Sequence, residues 1–145
     1  MLPNLLVGTG LVALTVLIHT GGLLLLARLT PLLARCLGFH SHDFGRTLVM
    51  LGSVLGIFML HTCEIWLWAW GYLQIGASLR FADALDLSTA MFSTLGYGGG
   101  VAVARDWHLL SALEGINGFI LIGWSTAYLV GASTRHGPFR AHEHF

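Results

Sequence analysis

Seven consecutive residues, Ser93-Thr94-Leu95-Gly96-Tyr97-Gly98-Gly99, carry the chemistry of this chain. Three glycines fall in four positions, beside one tyrosine and two hydroxyls. Glycine takes left-handed and mirror-image backbone angles without steric penalty. Alternating such residues with ordinary ones turns successive carbonyls to the same side. A row of inward carbonyls replaces the water shell of a dehydrated cation. No titratable group is needed, and the loop from Thr94 to Gly98 holds no carboxyl, amine, guanidinium or imidazole.

Such backbone has to be positioned by its neighbours. Ala82 to Ser93 reads as a helix, with Asp83 near its N-terminus. Twelve helical residues rise roughly 18 Å, too little to cross a hydrocarbon core of about 30 Å. A short helix ending in a Gly-rich loop suits a segment that enters the membrane and turns back. Irregular backbone is tolerated at that depth where it is buried or lines a cavity. The negative C-terminal end of the helix would point toward the cation. Full spans are expected on either side, over Thr47 to Leu73 and Leu109 to Val130. An earlier span runs from Leu5 to Leu29, interrupted by His19 and small polar residues. It reaches roughly 37 Å, and lacks the leading positive charge and Ala-x-Ala site of a signal peptide. Thr30 to Arg46, with Pro31, Gly38 and Gly45, reads as a break. Trp66, Trp68, Trp70 and Tyr72 read as an aromatic belt at a membrane boundary.

Composition agrees. Of 145 residues, 55% are hydrophobic and 10% charged, against about a quarter charged in soluble domains. Mean hydropathy is +0.75. The formal net charge of zero gives no case for nucleic-acid binding. Cys36 and Cys63 form neither a Cys-x-x-Cys pair nor a disulfide framework. No nucleophile elbow, P-loop or His-Glu-x-x-His is present, so an enzyme is not expected and no cofactor is implied. Arg28, Arg35, Arg46, Arg135 and Arg140 fall on one side, Arg80 and Arg105 on the other. The first group is cytoplasmic by the positive-inside rule, with the N-terminus outside and the C-terminus inside a cell (inner or plasma) membrane. Three parts follow: an N-terminal span and linker over 1–46, a helix–short helix–loop–helix unit over 47–133, and a polar tail over 134–145.

The unit over 47–133 resembles the pore domain of the tetrameric potassium-channel superfamily. Ser93-Thr94-Leu95-Gly96-Tyr97-Gly98 is similar to that family's filter signature, with Leu95 in the place of Val. Ala84-Leu85 and Ser88 stand where its pore helices often carry such residues. Gly118, Gly123 and Thr126-Ala127 fall at the spacing of its inner helix. The resemblance implies an all-α membrane protein: three transmembrane helices plus a re-entrant pore helix and filter, assembled as a homotetramer in the lipid bilayer. It implies passive conduction of K+, bound by the carbonyls of Thr94, Leu95, Gly96 and Tyr97 and the Thr94 hydroxyl, with Gly98 completing the filter. Gly99 stands where the family usually has Asp. A weakly selective monovalent cation channel is therefore the first alternative, and a transporter or accessory subunit the second.

Further residues follow from spacing. Phe119, Ile122 and Thr126 share one face of the last span and are candidates for a cavity below the filter. Gly118 is a candidate bending point or a site of close helix packing. His61 and Glu64 lie one turn apart, and Glu114 and Asn117 sit in the last span. An ionisable residue in a span faces protein or water. These four read as a satisfied structural set, with a pH-sensitive brace behind the filter as the alternative. The tail histidines His136, His142 and His144 are read as solvated rather than metal-binding.

Overall fold

The computed structural model describes residues 2–36, 43–96 and 105–136. Among them the regular elements are all helical: α1 (Leu2–Cys36), α2 (Asp43–Gln74), α3 (Phe81–Phe92), a 3-10 turn over Arg105–Trp107, and α4 (His108–His136). Three windows, Leu2–Leu32, Phe44–Gln74 and His108–Arg135, are long and apolar enough to cross a membrane. The protein is thus a multi-pass membrane protein. Its large apolar side chains are exposed in a way water would penalise, among them Leu17 at 70%, Phe58 at 69% and Phe119 at 69%. Helices suit this setting because each satisfies its own backbone. Small polar residues inside the spans do the same: the hydroxyls of Thr15, Thr30 and Ser53 donate to the carbonyls of Leu11, Leu26 and Val49.

The break expected from Thr30 to Arg46 is narrower than the sequence suggested. Helix α1 runs through Pro31 to Cys36, and α2 already begins at Asp43. Proline removes one hydrogen bond, to the Ala27 carbonyl, and does not end the helix. Membrane helices accommodate such losses, since neighbouring groups re-satisfy the freed carbonyl. The other spans also extend beyond their expected limits, α4 to His136.

The chain divides into two compact units, Met1–His19 with His61–Ile122 and Thr20–Leu60 with Gly123–Phe145. The first is built around a core of Trp68, Ala69 and Tyr72 from α2, Ala84, Leu87, Met91 and Phe92 from α3, and Leu110 and Leu121 from α4. Val7, Leu11, Val12 and Val16 of α1 pack on it. Gly71 of α2 admits Leu11: a Cβ there would stand 2.9 Å from a Leu11 methyl. The aromatic belt is split by helical periodicity. Trp68 and Tyr72, one turn apart, are fully buried, while Trp66 and Trp70 on the opposite side are half exposed. In the second unit α1 and α2 run antiparallel. Leu60 lies against Gly22, Leu26 against Gly56, and the Thr30 and Ser53 hydroxyls are 3.5 Å apart.

Helix α2 closes on Gly76, whose φ of +71° is left-handed, while the Ala77 amide donates back to the Tyr72 carbonyl at 2.9 Å. Seven residues after α2 ends, α3 begins. Its N-cap residue is Arg80, which makes no side-chain cap, and Asp83 sits within the first turn. Acid in that position still favours the positive end of the helix.

Candidate functional site

Helix α3 is 12 residues long. Ala84, Leu87, Ser88, Met91 and Phe92 form its buried face at helical spacing, and Phe81, Ala82, Asp86 and Thr89 its exposed one. Its C-terminal end leads directly into Thr94-Leu95-Gly96. Thr94 has a φ of +62° and Gly96 of +73°, with Leu95 between them outside the left-handed region. Glycine takes such an angle freely, but a β-branched threonine there is a strained outlier. The turn is pinned at both of its left-handed residues. The Thr94 amide donates to the Met91 carbonyl at 2.9 Å and the Gly96 amide to the Ala90 carbonyl at 3.2 Å. The Leu95 side chain is 80% exposed. Tyr97 and Gly98 lie outside the described residues.

Helix α4 closes against the same end of α3. A Cβ at Gly118 would overlap the Phe92 carbonyl oxygen and lie 2.8 Å from the Phe92 carbonyl carbon. Only a residue without a side chain permits this contact, because the obstacle is backbone. Gly118 therefore serves close packing in this structure. Phe119, Ile122 and Thr126 are all exposed, so the face they share is not filled by the chain's own side chains.

One turn before Gly118 on α4 is Glu114, fully buried. The Tyr72 hydroxyl of α2 donates to its Oε2 at 2.5 Å. The Ser88 hydroxyl of α3 faces its Oε1 at 2.5 Å and the Ile65 carbonyl at 2.9 Å. This carboxyl thus ties three helices together, with α3 in the middle. Asn117 is bound elsewhere: its side-chain amide donates to the Thr15 hydroxyl of α1 at 2.9 Å. At the start of α1 the Asn4 amide donates to the Asp106 carbonyl. Beside Tyr72, the buried Trp68 indole nitrogen has no partner among the described residues.

Glu64 forms a second, separate cluster. Its Oε1 is 2.9 Å from His19 Nδ1 and its Oε2 is 2.9 Å from His61 Nδ1. His19 and Glu64 are fully buried. The two imidazoles stack, with centroids 5.4 Å apart and planes at 29°. The His61 ring also tilts against Phe92, at 5.4 Å.

The four expected polar residues are therefore distributed over three arrangements: His61 with Glu64, Glu114 alone, and Asn117 with α1. Sequence reasoning missed four of their partners: His19, Tyr72, Ser88 and Thr15. His19 carries a detectable signal, an ionisable residue inside an apolar run, which needs a partner at that depth. Tyr72 lies one turn from Trp68, and that spacing marks a shared face. Thr15 is uninformative in sequence, since a membrane helix accommodates threonine by bonding its own backbone.

No protein-family model, curated protein or solved structure matches the chain.

Proposed function

We propose that the chain is one subunit of a homotetrameric, potassium-selective channel. The observation that carries this reading is the junction of α3 with its loop. A helix too short to cross the membrane, flanked by two that are long enough, runs straight into Thr94-Leu95-Gly96 with left-handed angles at alternate positions. Conduction needs carbonyls that replace a hydration shell, and alternation is the backbone pattern that turns successive carbonyls one way. Four copies supply rings of oxygens from Thr94, Leu95, Gly96 and Tyr97. The Glu114 contacts to Ser88 and Tyr72 hold α3 in place, and the exposed face of Phe119, Ile122 and Thr126 lines the cavity. Arginine placement sets the filter mouth and the N-terminus outside and the tail in the cytoplasm. Ions move passively down their gradient.

A weakly selective monovalent cation channel is the second reading, favoured by Gly99 in place of an acid at the mouth. Both readings need the same assembly. Mass measurement of the detergent-solubilised protein tests it: both predict four chains per particle, and a stable monomer or dimer contradicts both.

A further inference from the structure

The trio His19, His61 and Glu64 plays no part in the conduction reading, and it is the densest set of metal-ligating groups among the described residues. We propose that it binds a first-row divalent transition metal ion of the zinc type.

The donor set sets the class of ion. Two imidazole nitrogens and one carboxylate oxygen suit zinc and its neighbours, whereas magnesium and calcium take oxygen ligands. The geometry is already close. One ligand atom from each residue lies within 4.8 Å of the other two. Bond lengths of about 2.0–2.2 Å in a tetrahedron put ligand atoms roughly 3.3 Å apart. With Oε1 as the carboxylate ligand, the His19 nitrogen, now 2.9 Å away, opens by about half an ångström, and the His61 nitrogen exchanges its hydrogen bond to Oε2 for the ion. Three protein ligands leave a fourth position for water or an anion.

The helices hold the ligands without help from loops. His61 and Glu64 are one turn apart on α2, and His19 comes from the facing side of α1. Stacking of the imidazoles fixes their relative orientation, and Phe92 walls the His61 ring. Two ligands are fully buried, so the ion is shielded from water on that side. His61, 16% exposed, forms the open edge. The site clamps α1 to α2 and touches the last residue of α3 through Phe92.

The test is titration of the full chain in detergent with Zn2+ by calorimetry and with Co2+ by visible absorption. The expected result is one ion per chain, with the intense visible bands of tetrahedral Co2+. Glu64→Gln and His61→Gln, with helicity checked by circular dichroism, are expected to weaken binding by more than about tenfold. A double substitution of the tail, His142→Ala with His144→Ala, is expected to leave binding unchanged. The proposal is overturned if the unsubstituted, fully helical chain binds neither ion saturably, which makes the trio a hydrogen-bonded brace alone. It is equally overturned if binding survives Glu64→Gln and His61→Gln but disappears with the tail substitution.

Discussion

Two buried carboxyls sit on neighbouring spans, and their surroundings differ in kind. Glu114 is met by hydroxyls, from Tyr72 and Ser88. Glu64 is met by imidazoles, His19 and His61. Hydroxyls fix a carboxyl in place but are poor ligands for a zinc-type ion. Imidazoles are ligands as well as hydrogen-bond partners. The first cluster is thus suited to holding α3 between α2 and α4, and the second to receiving an ion. The two also differ in reach: Glu114 touches α3 directly, while Glu64 meets it through the His61 ring on Phe92.

That contrast can be broken by substitution, and the largest effect lies beside Glu114. Gly118→Val places a branched side chain into the Phe92 backbone, which cannot rotate away. It is expected to destabilise by about 3 kcal/mol and to remove the proposed tetramer, read by thermal unfolding and particle mass in detergent. An assembly as stable as the unsubstituted one contradicts the packing described. Next comes Glu114→Ala, which removes the carboxyl that Tyr72 and Ser88 bind and opens a void. A loss of about 2–4 kcal/mol is expected, with conduction reduced because α3 loses its anchor. Tyr72→Phe removes one contact of the same cluster. Between membrane helices such a bond averages about 0.6 kcal/mol and reaches about 1.7, so the melting temperature falls only slightly. Smallest of all is the effect of Glu64→Gln on ion discrimination. The potassium-to-sodium flux ratio stays at its unsubstituted value, although metal binding weakens. If Glu64→Gln shifted that ratio, or reduced conduction as much as Glu114→Ala, the division of labour between the two carboxyls would be wrong.

Much of this arrangement was legible in the sequence. The three spans stand out because apolar runs of that length have one stable solution in lipid. The short helix α3 was placed within a residue at each end, since Arg80 and the Gly-rich loop bound it. Helix ends were less legible. Pro31 reads as a breaker in water and is absorbed in a membrane helix. The cluster at Glu64 was half legible, as His61 and Glu64 are neighbours along one helix. His19 is 45 residues away from Glu64 in sequence, and only the fold pairs them. Glu114 illustrates the same limit: its partners come from α2 and α3, and periodicity within α4 says nothing about either. Gly118 was recognised as a bend or a contact, and the Phe92 carbonyl supplies the contact.

The central claim concerns the junction of α3 and its loop. It is tested most directly by flux through purified protein in liposomes, under a potassium gradient and then a sodium gradient. The account predicts potassium flux with little sodium flux, and loss of both in Gly96→Ala, where a methyl group strains the left-handed backbone at a φ of +73°. Equal flux of the two ions replaces the selective channel with the weakly selective one. Potassium flux undiminished by Gly96→Ala, or no flux of either ion through intact tetramers, contradicts the account.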